Sequence, residues 1–429
     1  MLLQLSIDTD FCFATIFFHI SHLLSTTKTM VKLLLSIWIS IYFMAGSSFA
    51  SSSYLVSLHS QETIDTFMAY DATYPQDLQV GELINSKFKI GNFSGFSGSF
   101  SKDIIKRLER CPLVDEIVPD ITVKAYDAVF QDLAPRHLAR ISRRKRMKPI
   151  KKYSYIYESD FIGKKVSAYV IDSGIAIGHP EFQGRARTGK DFTDEGPGDN
   201  NGHGTHVAGL IGSHTYGVAK GVQIIDVKAL NSKGTGSLST ILVAIEFAVN
   251  HRLRSGRMGV ANLSLGAYKN KLLNKAIDQA TQTGLVFVVA AGNNNINACL
   301  TSPSSSPYAI TVGAIDDYND SIASFSNWGE CVDLFASGAY VKSVNIRSDF
   351  RPLVLLGTSM AAPIVTGLVA NLLNEGVDPE LIKGQLIEMS TKHRISKSSL
   401  FLKKRTPNRI AYNGICFSYY QDEEDCFSD

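Results

Sequence analysis

Downstream of residue 165 the chain alternates between short, almost unbroken apolar runs and segments whose apolar positions recur every three or four residues. The runs at 165–172, 222–230, 260–265, 285–291 and 308–314 predict strands. The segments at 203–212, 238–251, 271–283 and 359–373 predict helices, with Gly284 suited to the left-handed position past the third of them. Strands apolar on both faces are buried on both faces, so the pattern predicts an α/β fold with a mostly parallel sheet between helix layers. Sites in such sheets form at the carboxyl ends of strands. Asp172 and Asn293 fall at two such ends.

Upstream the rhythm is different. Residues 53–58 alternate like a strand, 101–108 have helical spacing, and 114–123 return to a strand pattern broken by Pro119. Residues 51–126 therefore read as a separate small α+β domain. The stretch 127–158 is polar and irregular, a junction rather than a core element. It holds a dense basic run in which Arg143-Arg144-Lys145-Arg146 reads either as a dibasic processing site or, the favoured reading, as a solvated surface loop. From Met30 a short cationic start, an apolar stretch at 33–45 and Ser48-Phe49-Ala50 form the parts of a signal peptide over 30–50. That leaves 1–29 as a doubtful upstream extension and places the protein in the secretory pathway. The rival reading makes 11–24 and 33–44 two membrane helices, but each is short of the roughly 20 apolar residues that span a bilayer. No stable membrane span is expected.

Composition adds limits. With 43 Lys and Arg against 40 Asp and Glu the net charge is +3, which gives no footprint for nucleic acid. Of six cysteines, Cys12 lies in the leader region and Cys111 in the small domain. Cys299, Cys331, Cys416 and Cys426 remain, an even set compatible with disulfides in an oxidising compartment, with three possible pairings. Cys299–Cys331 is favoured because both follow strand-like segments. Asn92 and Asn319 head glycosylation sequons.

Three strings carry the candidate chemistry: Val170-Ile171-Asp172-Ser173-Gly174, Asn201-Gly202-His203-Gly204-Thr205-His206 and Gly357-Thr358-Ser359-Met360-Ala361. They supply an acid, an imidazole and a hydroxyl among small residues. Ser359 would stand at a helix start, capped by Thr358 and followed by Pro363 in the first turn, where its N–H could face a developing oxyanion. His203 can reach outward from the start of its helix, while His206, one turn inside, suits a packed role. Asp172 is desolvated enough to want an imidazole partner. Each alone has an ordinary reading as a cap or a turn.

Taken together, in the order Asp, His, Ser, the strings resemble the subtilases, most closely the proteinase K and yeast cerevisin branch, over about residues 135–415. The resemblance implies a subtilisin-like three-layer fold in a catalytic domain at 159–415, with an acidic tail at 416–429 that it does not cover. It implies a serine endopeptidase with Asp172, His203 and Ser359 as triad and Asn293 as oxyanion donor. Ser264, Leu265 and Gly266 would form one substrate-binding edge, Gly236 and Leu238 the opposing one, and Ala290 and Gly292 a wall of the main pocket, suited to a large apolar side chain. Asn262 also heads a sequon, but within that cleft it would not accept a sugar. Val118 to Val123 resembles the end of an inhibitory propeptide and Pro135 to Ser142 the start of a mature enzyme, so 51–126 would be the chain's own inhibitor. No catalytic cofactor is implied. A structural calcium would fall on Pro307, Ala309 and Asp333. The expected partners are protein or peptide substrates and the propeptide, for a monomer in the extracellular space, a cell or spore wall, or a vacuolar lumen. The alternative is a catalytically silent subtilase-fold protein that binds peptides or structures a wall.

Overall fold

A computed structural model describes residues 52–59, 62–120, 128–148, 152–347 and 351–415. The leader, the end of the small domain and the acidic tail with Cys416 and Cys426 lie outside them. The chain divides into two compact units, Met1–Ala125 and Tyr126–Asp429.

The first unit is a four-stranded antiparallel sheet of β1 (Ser52–Leu58), β2 (Ile84–Ile90), β3 (Phe93–Phe100) and β4 (Val114–Pro119), in the order β2-β3-β1-β4. Helices α1 (Ile64–Asp71) and α2 (Lys102–Leu108) pack their Phe67, Ile104 and Leu108 onto Val56, Phe96 and Phe100 of the sheet. Thr63 and Ser101 cap them by accepting the N–H groups of Thr66 and Ile104. The hairpin β2–β3 carries no strand pattern in the sequence, because β3 reads Phe-Ser-Gly-Phe-Ser-Gly-Ser-Phe. Its glycines have a steric purpose: a Cβ on Gly95 would stand 2.3 Å from the Val56 carbonyl oxygen. Cys111 is buried here as a free thiol.

The second unit holds the large sheet. Its strands are β5 (Val166–Asp172), β6 (Ala186–Asp191), β7 (Gln223–Lys228), β8 (Met258–Leu263), β9 (Leu285–Ala290), β10 (Ile310–Asp316), β11 (Leu334–Ser337), β12 (Thr391–Lys392) and β13 (Arg409–Ile410). They lie in the order β12-β13-β11-β10-β9-β8-β5-β7-β6, with Ser321–Ile322 added against β10. All neighbours from β6 to β13 run parallel; β12 and Ser321–Ile322 are antiparallel. The helices relevant to the site are α3 (Arg136–Ile141), α4 (His203–Gly212), α5 (Leu238–Ser255), α6 (Lys271–Thr281), α7 (Thr358–Glu375) and α8 (Ile382–Met389).

Alternation within the apolar strands sends successive residues to opposite layers. Val166, Ala168 and Val170 join the core containing α4 and α7; Tyr169 and Ile171 join the core under α5 and α6. β9 divides in the same way, Val286 and Val288 to one side and Phe287 and Val289 to the other. This is the three-layer arrangement expected from the pattern.

Two local expectations differ. α5 runs to Ser255 because Gly256 closes it in the left-handed conformation and Arg252 Nη1 donates to the Thr283 carbonyl, fixing a last turn too polar to show periodicity. The basic run is not a solvated loop. Arg143 Nη1 donates to the carbonyls of Ala139 and Ser154, and Arg144 Nη1 to that of Ser390, with its guanidinium 4.3 Å from the Tyr412 ring. Just before it, Arg140 is wholly buried and donates to Asp320 at 2.9 and 3.1 Å. Guanidinium groups satisfied by backbone oxygens and aromatic faces hold this segment down. Among the described residues no helix is long and apolar enough to cross a membrane.

Candidate active site

Asp172 ends β5 with no exposed surface. Its Oδ1 accepts the Ser173 N–H at 2.8 Å and His203 Nδ1 at 2.8 Å. A carboxylate only accepts, so Nδ1 carries the proton and Nε2 is left as the free lone pair of the neutral ring. Burial of the imidazole lowers its pKa, but Asp172 beside it and Asp199 nearby outweigh that, and the net direction is upward from the ordinary value.

His203 is the first residue of α4. The approach of that helix to β5 depends on Gly204, where a Cβ would meet the Gly174 carbonyl oxygen at 2.2 Å. Sequence reasoning missed the residue that anchors this turn, Asp199. One of its oxygens accepts the N–H groups of Asn201 and Gly202 and the Ser173 hydroxyl; the other accepts the Thr205 N–H and hydroxyl. A carboxylate at a helix N-terminus also suits the dipole. His206 is packed as expected: its Nε2 faces the Val341 and Leu353 carbonyls, and burial drives its pKa down to about 3, so it stays neutral.

Ser359 is the second residue of α7, so its N–H has no carbonyl a turn earlier to bond. Gly357, not Thr358, is the N-cap, with φ of 150°. Thr358 has another task. Its N–H and hydroxyl donate to Asn293 Oδ1 at 2.8 and 2.9 Å, and its Oγ1 accepts the Gly292 N–H. With Oδ1 committed, the Asn293 amide can only turn its NH2 outward.

Pro363 lies six residues into α7, past the first turn, and removes the N–H that would bond the Ser359 carbonyl. The Ser264 hydroxyl takes that place, donating to the Ser359 oxygen at 2.9 Å. Ser264 Oγ in turn accepts from Asn262 Nδ2, and Asn262 Oδ1 accepts from Thr366 Oγ1, both at 2.9 Å. Asn262 has no exposed surface, so its sequon is sealed. The Ser359 hydroxyl is donated to the Ser264 carbonyl at 3.2 Å rather than to His203. Such a nucleophile–base bond commonly tightens only around bound substrate.

Two adjoining hollows share the segment Ser264–Ala267. One, of about 480 Å³, is lined by Ser359, Asn293, Ala290, Gly292, Thr301, Ser302 and Ser304. The other, of about 430 Å³, is lined by His203, Gly236, Leu238 and Ile241. Every residue predicted for substrate binding thus borders one or both of these hollows. Gly292 (φ 103°) admits no side chain, since a Cβ would meet Asn327 Nδ2 at 2.4 Å. Cys299 and Cys331 are disulfide-bonded, with Cα atoms 5.3 Å apart.

The residues expected to hold calcium do not fit that ion. Lys383 Nζ stands 3.0 Å from the Pro307 oxygen, 2.8 Å from that of Ala309 and 3.0 Å from Asp333 Oδ2. The oxygens are gathered as the resemblance implies, but a side-chain cation already faces all three. Calcium asks for six to eight oxygens.

Comparisons with known proteins place the chain in a family and a fold. A family model described as the subtilase family matches residues 163–406, and one described as peptidase inhibitor I9 matches residues 41–126. The subtilase-type proteinase RRT12 of Saccharomyces cerevisiae is 42% identical over 373 residues, 77% of this chain and 76% of that protein. Cerevisin of the same yeast is 40% identical over 77% of this chain, which spans 55% of cerevisin's length. The crystal structure of a cold adapted subtilisin-like serine proteinase superposes with a TM-score of 0.59 at 38% identity, covering 66% of this chain and all of that one.

Proposed function

From the premise that the chain belongs to the subtilase family of serine proteases, we propose that it is a self-processing serine endopeptidase of the secretory pathway. Ser359 Oγ attacks a peptide carbonyl while His203 Nε2 takes its proton and later returns it to the leaving amine. Asp172 holds the imidazole in the required tautomer and stabilises the imidazolium. Asn293 Nδ2 and the Ser359 N–H receive the oxyanion. Every group is a side chain or a backbone amide, so this chemistry calls for no cofactor.

One observation carries the reading: the 2.8 Å bond from His203 Nδ1 to Asp172 commits that nitrogen and leaves Nε2 free, while His203 and Ser359 line adjoining hollows that share Ser264–Ala267. Substrate would lie as an added strand between Ser264–Gly266 and Gly236–Leu238. The small residues Ala290 and Gly292 leave room for a large apolar side chain. Residues 51–126, preceded by a signal at 30–50, would act as the chain's own inhibitor until removed. The catalytic domain at 159–415 would then work as a monomer outside the cell or in a vacuolar lumen.

Expression of the Ser359→Ala chain tests self-processing. The variant is expected to keep its prosegment, seen by intact mass and N-terminal sequencing, while the unaltered chain loses it. Removal of the prosegment from purified Ser359→Ala protein without another protease would contradict the reading.

A further inference from the structure

The oxygen cluster behind the main pocket has a cation built into the chain. We propose that the Lys383 ammonium is the resident cation of the site formed by Pro307, Ala309 and Asp333, and that this makes the site independent of metal.

An ammonium has three N–H groups and no lone pair, and Lys383 Nζ meets three oxygens at 3.0, 2.8 and 3.0 Å. Its hydrogen-bonding capacity is therefore used in full. Charge also balances: one carboxylate faces one ammonium. A divalent ion would have to displace that ammonium against repulsion and would find a single carboxylate and two carbonyls, half its usual shell or less. The pair is shielded, with the side chains of Lys383 and Asp333 32% and 14% exposed.

The position of the lysine strengthens the case. Lys383 is the second residue of α8, where the positive end of the helix dipole disfavours a cation. A lysine placed there against the dipole needs an offsetting partner, and the three oxygens supply it. Asp333 Oδ2 also accepts the Thr311 N–H at 2.8 Å, so the same carboxylate joins β10 to the start of β11. Pro307 and Ala309 end the segment whose Thr301, Ser302 and Ser304 line the main pocket. Lys383 thereby pins the back of the pocket wall to α8.

The test uses the full chain carrying Ser359→Ala, so that self-digestion plays no part. Thermal unfolding is followed in excess chelator and in millimolar calcium, with Lys383 intact, with Lys383→Met and with Asp333→Asn. The expected result is a Tm with Lys383 intact that shows no Asp333-dependent rise in calcium, and a fall of roughly 2–6 °C in Lys383→Met. The proposal is overturned if calcium raises the Tm of the Lys383 protein and Asp333→Asn abolishes that rise, or if Lys383→Met melts like the Lys383 protein. Should Lys383→Met fail to fold, calorimetric titration of calcium into the Lys383 protein, with and without Asp333→Asn, decides. Absence of an Asp333-dependent binding heat supports the proposal, and its presence overturns it.

Discussion

At the scale of single residues, the site works by using up one end of each polar side chain so that the other end is aimed. His203 gives Nδ1 to Asp172 and keeps Nε2; Asn293 gives Oδ1 to Thr358 and keeps its NH2. Because Asp172 and Asp199 hold the His203 pKa above its ordinary value, the neutral base is reached only at higher pH. The acid limb of kcat/KM should therefore fall above pH 6.5, the ordinary histidine value, and Asp172→Asn should lower kcat by about 10⁴ through loss of the correct tautomer. Asn293→Ala should lower kcat by roughly 10²–10³. Thr358→Val, which removes the hydroxyl donor but leaves the backbone N–H on Asn293 Oδ1, should lower kcat less and leave KM nearly unchanged. An unaltered kcat in Thr358→Val would show that the Asn293 orientation does not depend on that hydroxyl.

At the scale of elements, α7 is tied to the sheet by a buried polar chain, Thr366–Asn262–Ser264–Ser359, which makes Pro363 tolerable inside the helix. Ser264→Ala would leave the Ser359 carbonyl without its donor, and urea unfolding should register a loss of about 1–3 kcal/mol. The same substitution paired with Pro363→Ala, which restores the helical N–H, should lose less. The Cys299–Cys331 disulfide closes 32 residues of chain that include the pocket wall. Replacing both cysteines by serine should cost about 3–4 kcal/mol on the loop-entropy model, measured as a lower urea midpoint. These scales also show what the sequence made legible. Strands buried on both faces, such as β5, β8 and β9, announce themselves as apolar runs. The edge strand β6, Ala-Arg-Thr-Gly-Lys-Asp, is half exposed and does not. The roles of the Ser264 hydroxyl and of Thr358 rest on partners remote in the chain, whereas Asp199 mostly bonds residues two to six positions on and is tied to β5 only through the Ser173 hydroxyl. Lys383 lies 50 residues or more from every oxygen it bonds, and no local pattern could reveal it.

At the scale of the whole molecule, two units of different construction follow one another along the chain. The first is a small antiparallel sheet under two helices, in the region matched by an inhibitor family; the second is a mostly parallel sheet with Asp172 at the carboxyl end of β5 and Asn293 just past that of β9. The Arg140–Asp320 pair and the anchored basic run bind residues 136–147 into the second unit. Cleavage at Arg143–Arg146 would sever that anchorage. Mature protein is accordingly expected to begin before Pro135, and N-terminal sequencing that found a start after Arg146 would refute this.

The most direct test is labelling with a fluorophosphonate after the prosegment has been removed, followed by peptide mapping. A single adduct on Ser359, lost in His203→Ala and forming faster as pH rises through the His203 titration, is the predicted result. No adduct, or an adduct on another residue with Ser359 unmodified, would contradict the proposed triad.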